Sequence, residues 1–513
     1  MAQRSLARDS ATVSIASAVV AISALVAMGL VLYRFGAGEA TDAYFLAIAL
    51  PRFFQVVAHG TVPQVLIPAM AQLDGERTRS NDELLSVMLH HSLLAGLLVY
   101  GAAYLGAGGV MGLVGWGLTG DALAQCSSMF RVTALGIALV APCEILMSHL
   151  NSRGVFGRTA GAEALRNAVI AAVVLVTSAR FGILAAGIGF ASGCVAQFFY
   201  LLALSLRTDF RWRLRMRFSG PEYRQALLQG VGPTFASAVN FAPQVLQRAF
   251  ASGVAPGAVT IFSAAQQVVS VLFVVTLRSV GVANHPRLSR LFAAGDSEGA
   301  NATMRQAMRY CVILGSVSYL CVAFGASDMA GVLTSLHVLE PDQTQSFGLV
   351  LFLLSLALPV NGIVTVLRSP HYALNRAQSA AAQMAALGIL HVAYMWAFIS
   401  GAGLVGIAWA QVAWVLTSVI VGYRFLPKAC SGLFRATFPF VLLAAGSGLG
   451  IGIVVFFARR SMELAWLNEH LLLHSVWTVM FGGFPMACAA FLLWRYRESR
   501  RGLEIQLAEA ELP

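Results

Sequence analysis

The chain has 513 residues, of which 58% are hydrophobic and only 11% charged, against about 25% charged in soluble domains. Its mean hydropathy is +0.74, and apolar runs of bilayer-spanning length recur from residue 12 to residue 495, which excludes a soluble catalytic domain. The net charge is +11, carried almost wholly by Arg, and the seven Cys stand apart without a CxxC or CxxH pair, which argues against a disulfide framework or a metal site.

A membrane helix needs about 20 apolar residues, and on that criterion about fourteen spans are expected. They lie at 12–33, 42–72, 84–107, 123–151, 160–179, 182–206, 225–252, 257–283, 303–325, 345–369, 378–399, 402–425, 436–458 and 472–495. The first is too long for a signal-peptide core and lacks a small-residue cleavage site, so it is expected to be retained as a membrane helix. The second exceeds one straight crossing. It holds Pro51 and Gly60, with Arg52 and His59 among apolar neighbours, and is expected to bend there with its loosened backbone toward a cavity.

The loops set the orientation. Basic residues precede the first span (Arg4, Arg8) and follow every even-numbered one, as at Arg79, Arg153, Arg158, Arg287, Arg376 and Lys428. The opposite loops are neutral or acidic, as at Asp121 and Glu340, although Arg459 and Arg460 break the pattern. By the positive-inside rule both termini are expected in the cytoplasm. The segment from Arg207 to Arg224 interleaves Arg with Phe, Trp, Leu and Met; directly after a span, this reads as an interfacial stretch on anionic lipid headgroups, not a nucleic-acid patch.

An internal repeat is visible. Residues 35–76 align with 250–292, placing Phe45 on Phe262 and Pro68 on Pro286, and Asn151 later falls on Asn375 at an offset of 224. Six spans separate the copies, so they share one topology, related by an axis along the membrane normal. The expected architecture is an all-α polytopic membrane protein with two six-helix lobes, 1–206 and 225–426. A basic linker, 207–224, joins them, and a two-helix extension, 427–496, and a tail, 497–513, follow. Transporters built on such repeats bind substrate between the lobes and alternate access by rocking them.

An intramembrane charge costs at least about 2.5–3.5 kcal/mol, so such groups face a cavity or a partner. At a rise of about 1.5 Å per residue, Arg52 lies roughly 15 Å into its span and Arg131 about 12 Å into the fourth. His59, Glu144 and Arg278 lie nearer the cytoplasmic side. The planar fork of Arg suits phosphate oxygens, so Arg52, assisted by Arg131, is the leading anion-binding candidate. Asp42 reads equally as a cavity-mouth residue and as the N-cap of its own span. Glu144 is expected to pair with Arg131 or His149, and Glu163 with Arg166. His90 and His91 read as packed polar residues, and Arg34, Arg248 and Arg368 as side chains extended to the interface. No P-loop, HExxH or GxSxG signature is present, so neither ATP hydrolysis nor a cofactor is expected.

The stretch FGAGEATDAYFLAIALPRFF at 35–54, with VPQVLIPAMAQ at 62–72, FASG at 250–253, HPRLSRLF at 285–292 and LNSRGVFGR at 150–158, resembles the bacterial lipid II flippases (the MurJ/MviN family). These belong to the superfamily of multidrug, oligosaccharidyl-lipid and polysaccharide exporters, and the resemblance covers the first twelve spans. Asp42 matches the family's second-helix motif directly. Family arginines line up with Gln55 and Gln267, and those of the first helix have no counterpart in AISALVAMGLVLY. The resemblance implies a transporter, not an enzyme, that moves an undecaprenyl-diphosphate-linked glycan to the periplasmic leaflet of the inner membrane by alternating access. On this reading Asp42, Arg52, Gln55, His59, Arg131, Gln267 and Arg278 serve the substrate. Expected partners are that glycan lipid, anionic membrane lipids, and polysaccharide or cell-wall assembly proteins. Lipid II and an exopolysaccharide or O-antigen unit both stay open as cargo. A cation-coupled antiporter and a non-transporting scaffold are the alternatives; the sparseness of acidic residues within the spans argues against the first, and the second rests on the absent arginines.

Overall fold

In hydrocarbon every backbone N–H must find its acceptor within its own segment, so the long apolar runs fold as helices. The computed structural model describes residues 2–73, 78–208, 210–214, 221–374, 377–430 and 432–461, which are helical with short connections. Eleven segments among them are long and apolar enough to cross a membrane. One, Gln378–Arg424, reverses at Gly403, whose φ of +53° only glycine adopts readily, and so counts as two spans. The 32-residue helix Pro221–Ser252 adds another. Thirteen of the expected spans are thus found; the last, 472–495, and the tail lie outside the described residues.

The N-terminal lobe contains α1 (Ala2–Phe35), α2 (Glu39–Ala47), α3 (Ala49–Leu73), α4 (Thr78–Leu105), α5 (Ala107–Val114), α6 (Gly120–Thr133), α7 (Leu135–Ser152), α8 (Phe156–Phe181) and α9 (Leu184–Arg207). The C-terminal lobe contains α10 (Pro221–Ser252), α11 (Ala258–Phe273), a π-helical turn (Val274–Arg278), α12 (Ser279–Ala293), α13 (Ser297–Ser335), α14 (Pro341–Ser355), α15 (Leu358–Ala373) and α16 (Ala377–Arg424). Helix α17 (Leu433–Ser461) packs on α13. Within the lobes α8 packs on α1 and α9, α7 on α3 and α4, α10 on α16, and α13 on α14 and α15. The lobes meet where α3 runs beside α10 and where α1 meets α11. Phe45 and Phe262, the aligned pair of the repeat, are 1% and 0% exposed within one shared core cluster.

The second span does break, but at Ile48, with α3 continuing through Gly60 to Leu73. Pro51 explains the position: it has no N–H to offer the carbonyl four residues earlier, and its ring crowds that carbonyl. The carbonyl belongs to Ala47, and the Thr133 hydroxyl donates to it at 3.0 Å. Pro359 acts alike in the other lobe, where α14 ends at Ser355, four residues before it. The fourth span breaks at Ala134, so both copies of this span are hinged near corresponding positions.

The start of the inter-lobe linker is docked on α4. Phe210 is buried, Trp212 donates its indole N–H to His90 Nε2 at 3.1 Å, and Arg213 pairs with Glu83 at 3.3 Å. An indole nitrogen only donates, so His90 Nε2 accepts from Trp212, while His90 Nδ1 faces the Ser86 carbonyl at 2.6 Å. Residues 215–220 lie outside the described residues.

Candidate functional site

Two groups of polar residues sit where the lobes meet. The first seals one end. Asp42, in the first turn of α2, is 1% exposed, and its carboxylate accepts from Gly257 N–H at 2.7 Å, Thr260 N–H at 2.7 Å and the Thr260 hydroxyl at 2.6 Å. It therefore caps α11, the repeat counterpart of its own span in the opposite lobe, where the bare N–H groups and helix dipole favour an anion. The start of α2 is served instead by Thr41, whose hydroxyl accepts from Gly38 N–H.

The surroundings leave little slack at this seal. Gly257 has φ +82°, and a Cβ there would come within 2.7 Å of Gln343 Nε2 and 3.0 Å of the Ala37 carbonyl. Ala37 N–H in turn donates to the Val338 carbonyl at 2.8 Å. Alongside, Trp116 meets Phe250 edge-on at 4.9 Å, and a Cβ on Gly117 would lie 2.1 Å from the Ser252 carbonyl oxygen.

The second group lies deeper, on one face of α3, where Arg52, Gln55 and His59 follow each other at three- and four-residue steps. Arg52 is half-buried, and its guanidinium makes no hydrogen bond or ion pair among the described residues. Arg166 and Arg248 lie within electrostatic reach of it, from α8 and α10. Arg166 donates to Gln197 Oε1 at 3.3 Å, not to Glu163 as the spacing suggested. Arg248, expected to extend to the interface, is 9% exposed and donates to the Ser263 hydroxyl and the Gln244 carbonyl. Its span ends at the sealed junction, so no interface is open to it. Gln55, Glu144, Arg166 and Gln197 line a cavity of about 20 Å³, room for one water.

Arg131 is not part of this group. It is exposed, with its guanidinium 5.9 Å above the Tyr104 ring, because α6 turns that face away from α3. Glu144 bonds neither Arg131 nor His149 but His59 Nδ1, at 3.2 Å, tying α7 to α3. Gln267 is half-buried on α11 beside Gln266, which joins a buried chain through Gln247 to Gln411. Arg278 stands in the π-helical turn, and its side chain lies outside the described residues. Arg34, expected at the interface, donates to the Ser178 hydroxyl. The sequence reading left Arg166 and Arg248 out of the site because it paired the first with Glu163 and put the second at a span end; only the packing of α8 and α10 carries them inward.

The sequence profile described as "Lipid II flippase MurJ" matches residues 31–479. The chain belongs to the lipid II flippase MurJ family. A relative named lipid II flippase MurJ from Burkholderia cenocepacia is 25% identical over 317 residues, 59% of this chain and 61% of that protein. A probable lipid II flippase MurJ from Borreliella burgdorferi is 22% identical over 291 residues, 55% and 56% of the two chains. This MurJ-family chain thus aligns with about three fifths of the length of those relatives. Among solved structures, a lipid II flippase MurJ in an inward closed conformation superposes with a TM-score of 0.75 at 18% identity, over 92% of this chain and 98% of that one. An inward-facing multidrug resistance MATE family transporter of the MOP superfamily gives 0.68 at 16% identity, over 83% and 99%. These likenesses establish the MurJ-like and MATE-like fold.

Proposed function

We propose that this chain is a flippase that moves a lipid-diphosphate-linked glycan, lipid II or an exopolysaccharide or O-antigen unit, from the cytoplasmic to the outer leaflet by alternating access. Family membership supports the cargo class, and the observation that carries the mechanism is Arg52. It is a cation inside the membrane, between the lobes, with no ion pair among the described residues to neutralise it, and Arg166 and Arg248 are close by. A buried charge without a counterion is costly, and a diphosphate supplies the counterion. Gln55, His59 and Gln267 flank the passage as neutral or titratable contacts, and Asp42 serves the gate instead of the cargo. Arg278 remains a candidate on its position in the eighth span.

The test is reconstitution in proteoliposomes with fluorescent lipid II and a fluorescent undecaprenyl-diphosphate sugar. Protein-dependent translocation of either is expected, and translocation of neither, by protein shown to be folded, would overturn the reading.

The protein is a multi-pass inner-membrane protein by family and by its apolar helices. We further propose the orientation with both termini in the cytoplasm and the lobes bounded as 1–206 and 225–426, with the linker 207–224 and the tail 497–513 on the cytoplasmic side and the extension 427–496 crossing the membrane as two helices. The seal at Asp42 then closes the periplasmic end. Anionic lipids meet the linker, whose Trp212 and Leu214 are 42% and 89% exposed beside Arg211, and wall- or polysaccharide-assembly proteins are the expected protein partners. Single-cysteine labelling of intact cells is expected to reach positions 121, 256 and 340 and to miss 79, 158 and 376. The reverse pattern would invert the topology.

A further inference from the structure

The segment of α14 and α15 is the most enclosed of the described spans. From Leu358 to Tyr372 of α15 its partly open positions are Asn361, Thr365, Arg368 and Tyr372. Steps of four, three and four put them on a single face, and all four are polar. A polar stripe on an otherwise enclosed helix lines an internal space, not lipid.

Arg368 was expected to reach the membrane interface. Instead its Nη2 is shut off from solvent with no hydrogen-bond partner. Helices α11, α12, α16 and α17, which also pack on α15, carry no carboxylate: no Asp or Glu occurs between Asp342 and Glu463, nor between Glu222 and Asp296. Helix α13, against α15, has its acids near its ends, at Glu298, which is exposed, and at Asp328. Arg368 also stands apart from the Arg52 group, with Tyr372 as its electrostatic neighbour.

From these observations we infer that Arg368 receives a second anion of the cargo, a carboxylate on the glycan, while Asn361 and Thr365 meet the adjoining sugar hydroxyls. The inference rests on the flippase reading and deepens it. Two separated cationic positions call for two separated anions, and the diphosphate occupies the first. A carboxylate fits the planar fork in bidentate fashion. Amide and hydroxyl groups both donate and accept, as sugar hydroxyls require.

The test is equilibrium binding of three short-chain probes to the detergent-purified full chain: farnesyl diphosphate, its neutral glucosyl disaccharide, and the same disaccharide with glucuronic acid. The wild-type protein is expected to bind the glucuronic acid probe about tenfold more tightly than the neutral one, the range of a charge-assisted hydrogen bond. Arg368→Gln is expected to erase that preference while changing the neutral probe by less than about twofold, and Arg368→Lys to keep part of it. Equal binding of both sugars by the wild type, or a preference that survives Arg368→Gln, would overturn the inference. So would weakened binding of farnesyl diphosphate itself by Arg368→Gln, which would make Arg368 a headgroup contact. Binding of the neutral and bare probes without discrimination leaves the flippase reading standing, whereas binding of none by the wild type overturns both.

Discussion

Asp42→Ala is expected to abolish transport and to release the seal between the lobes. In the sealed state the carboxylate is the acceptor for three donors at the start of α11. Its loss leaves two buried N–H groups and a hydroxyl unsatisfied, at about 1–3 kcal/mol for each buried donor. In the opened state water satisfies the same donors, so the substitution penalises one conformation only. A differential of about 3 kcal/mol moves a two-state equilibrium by more than a hundredfold, enough to leave the sealed form a minor species. Spin-label distances between positions near Trp116 and Val254 are expected to lengthen in Asp42→Ala. Asp42→Asn, which keeps one acceptor oxygen, should lie between. Transport lost with the distances unchanged would place Asp42 on the cargo path instead of at the gate. Unchanged transport would remove it from the mechanism.

Arg52→Ala is expected to lower transport by about a hundredfold or more without loss of membrane abundance. The estimate follows from a charge-assisted contact to a phosphate oxygen, worth about 1.5–3 kcal/mol and more when bidentate. Among the described residues no anion pairs with Arg52, so removing it strands none of them, and folding should be spared. Arg52→Lys should recover only part of the activity, because Lys retains charge but not the fork. Arg166→Gln and Arg248→Gln should each weaken cargo binding less. Arg131→Ala should be close to silent, since its guanidinium rests on Tyr104. The measurement is lipid flipping in proteoliposomes, with abundance and melting temperature recorded for each variant. Full activity of a well-folded Arg52→Ala would put the headgroup site elsewhere. A collapse in abundance would show Arg52 to be structural.

Much of the fold could be read in the sequence, because the bilayer imposes its rule on each helix separately. A run of about 20 apolar residues must form a spanning helix whatever its neighbours do, and the described spans duly appear, Gly403 marking one reversal. The chain break caused by Pro51 is likewise local, although its place, three residues earlier at Ile48, follows from which carbonyl the ring obstructs, that of Ala47. The duplicated pattern around Phe45 and Phe262 also needed no coordinates. The partners of the charged residues were another matter. Asp42 could be recognised as a helix cap, yet nothing within its own span says that the helix it caps begins 215 residues later. Depth along a helix can be counted, so Arg131 and Arg52 appeared equivalent, but the direction each faces is set by rotation of α6 and α3 against their neighbours. Arg248 and Arg368 lie near span ends, where snorkelling is the ordinary outcome; packing at the lobe junction and on α15 closes that escape. The one-dimensional pattern thus determined the helices and their repeat, since backbone satisfaction in lipid is a property of each segment alone. Tertiary structure decided which charges meet and which are left without a counterion, since those depend on helices distant in sequence being pressed side by side.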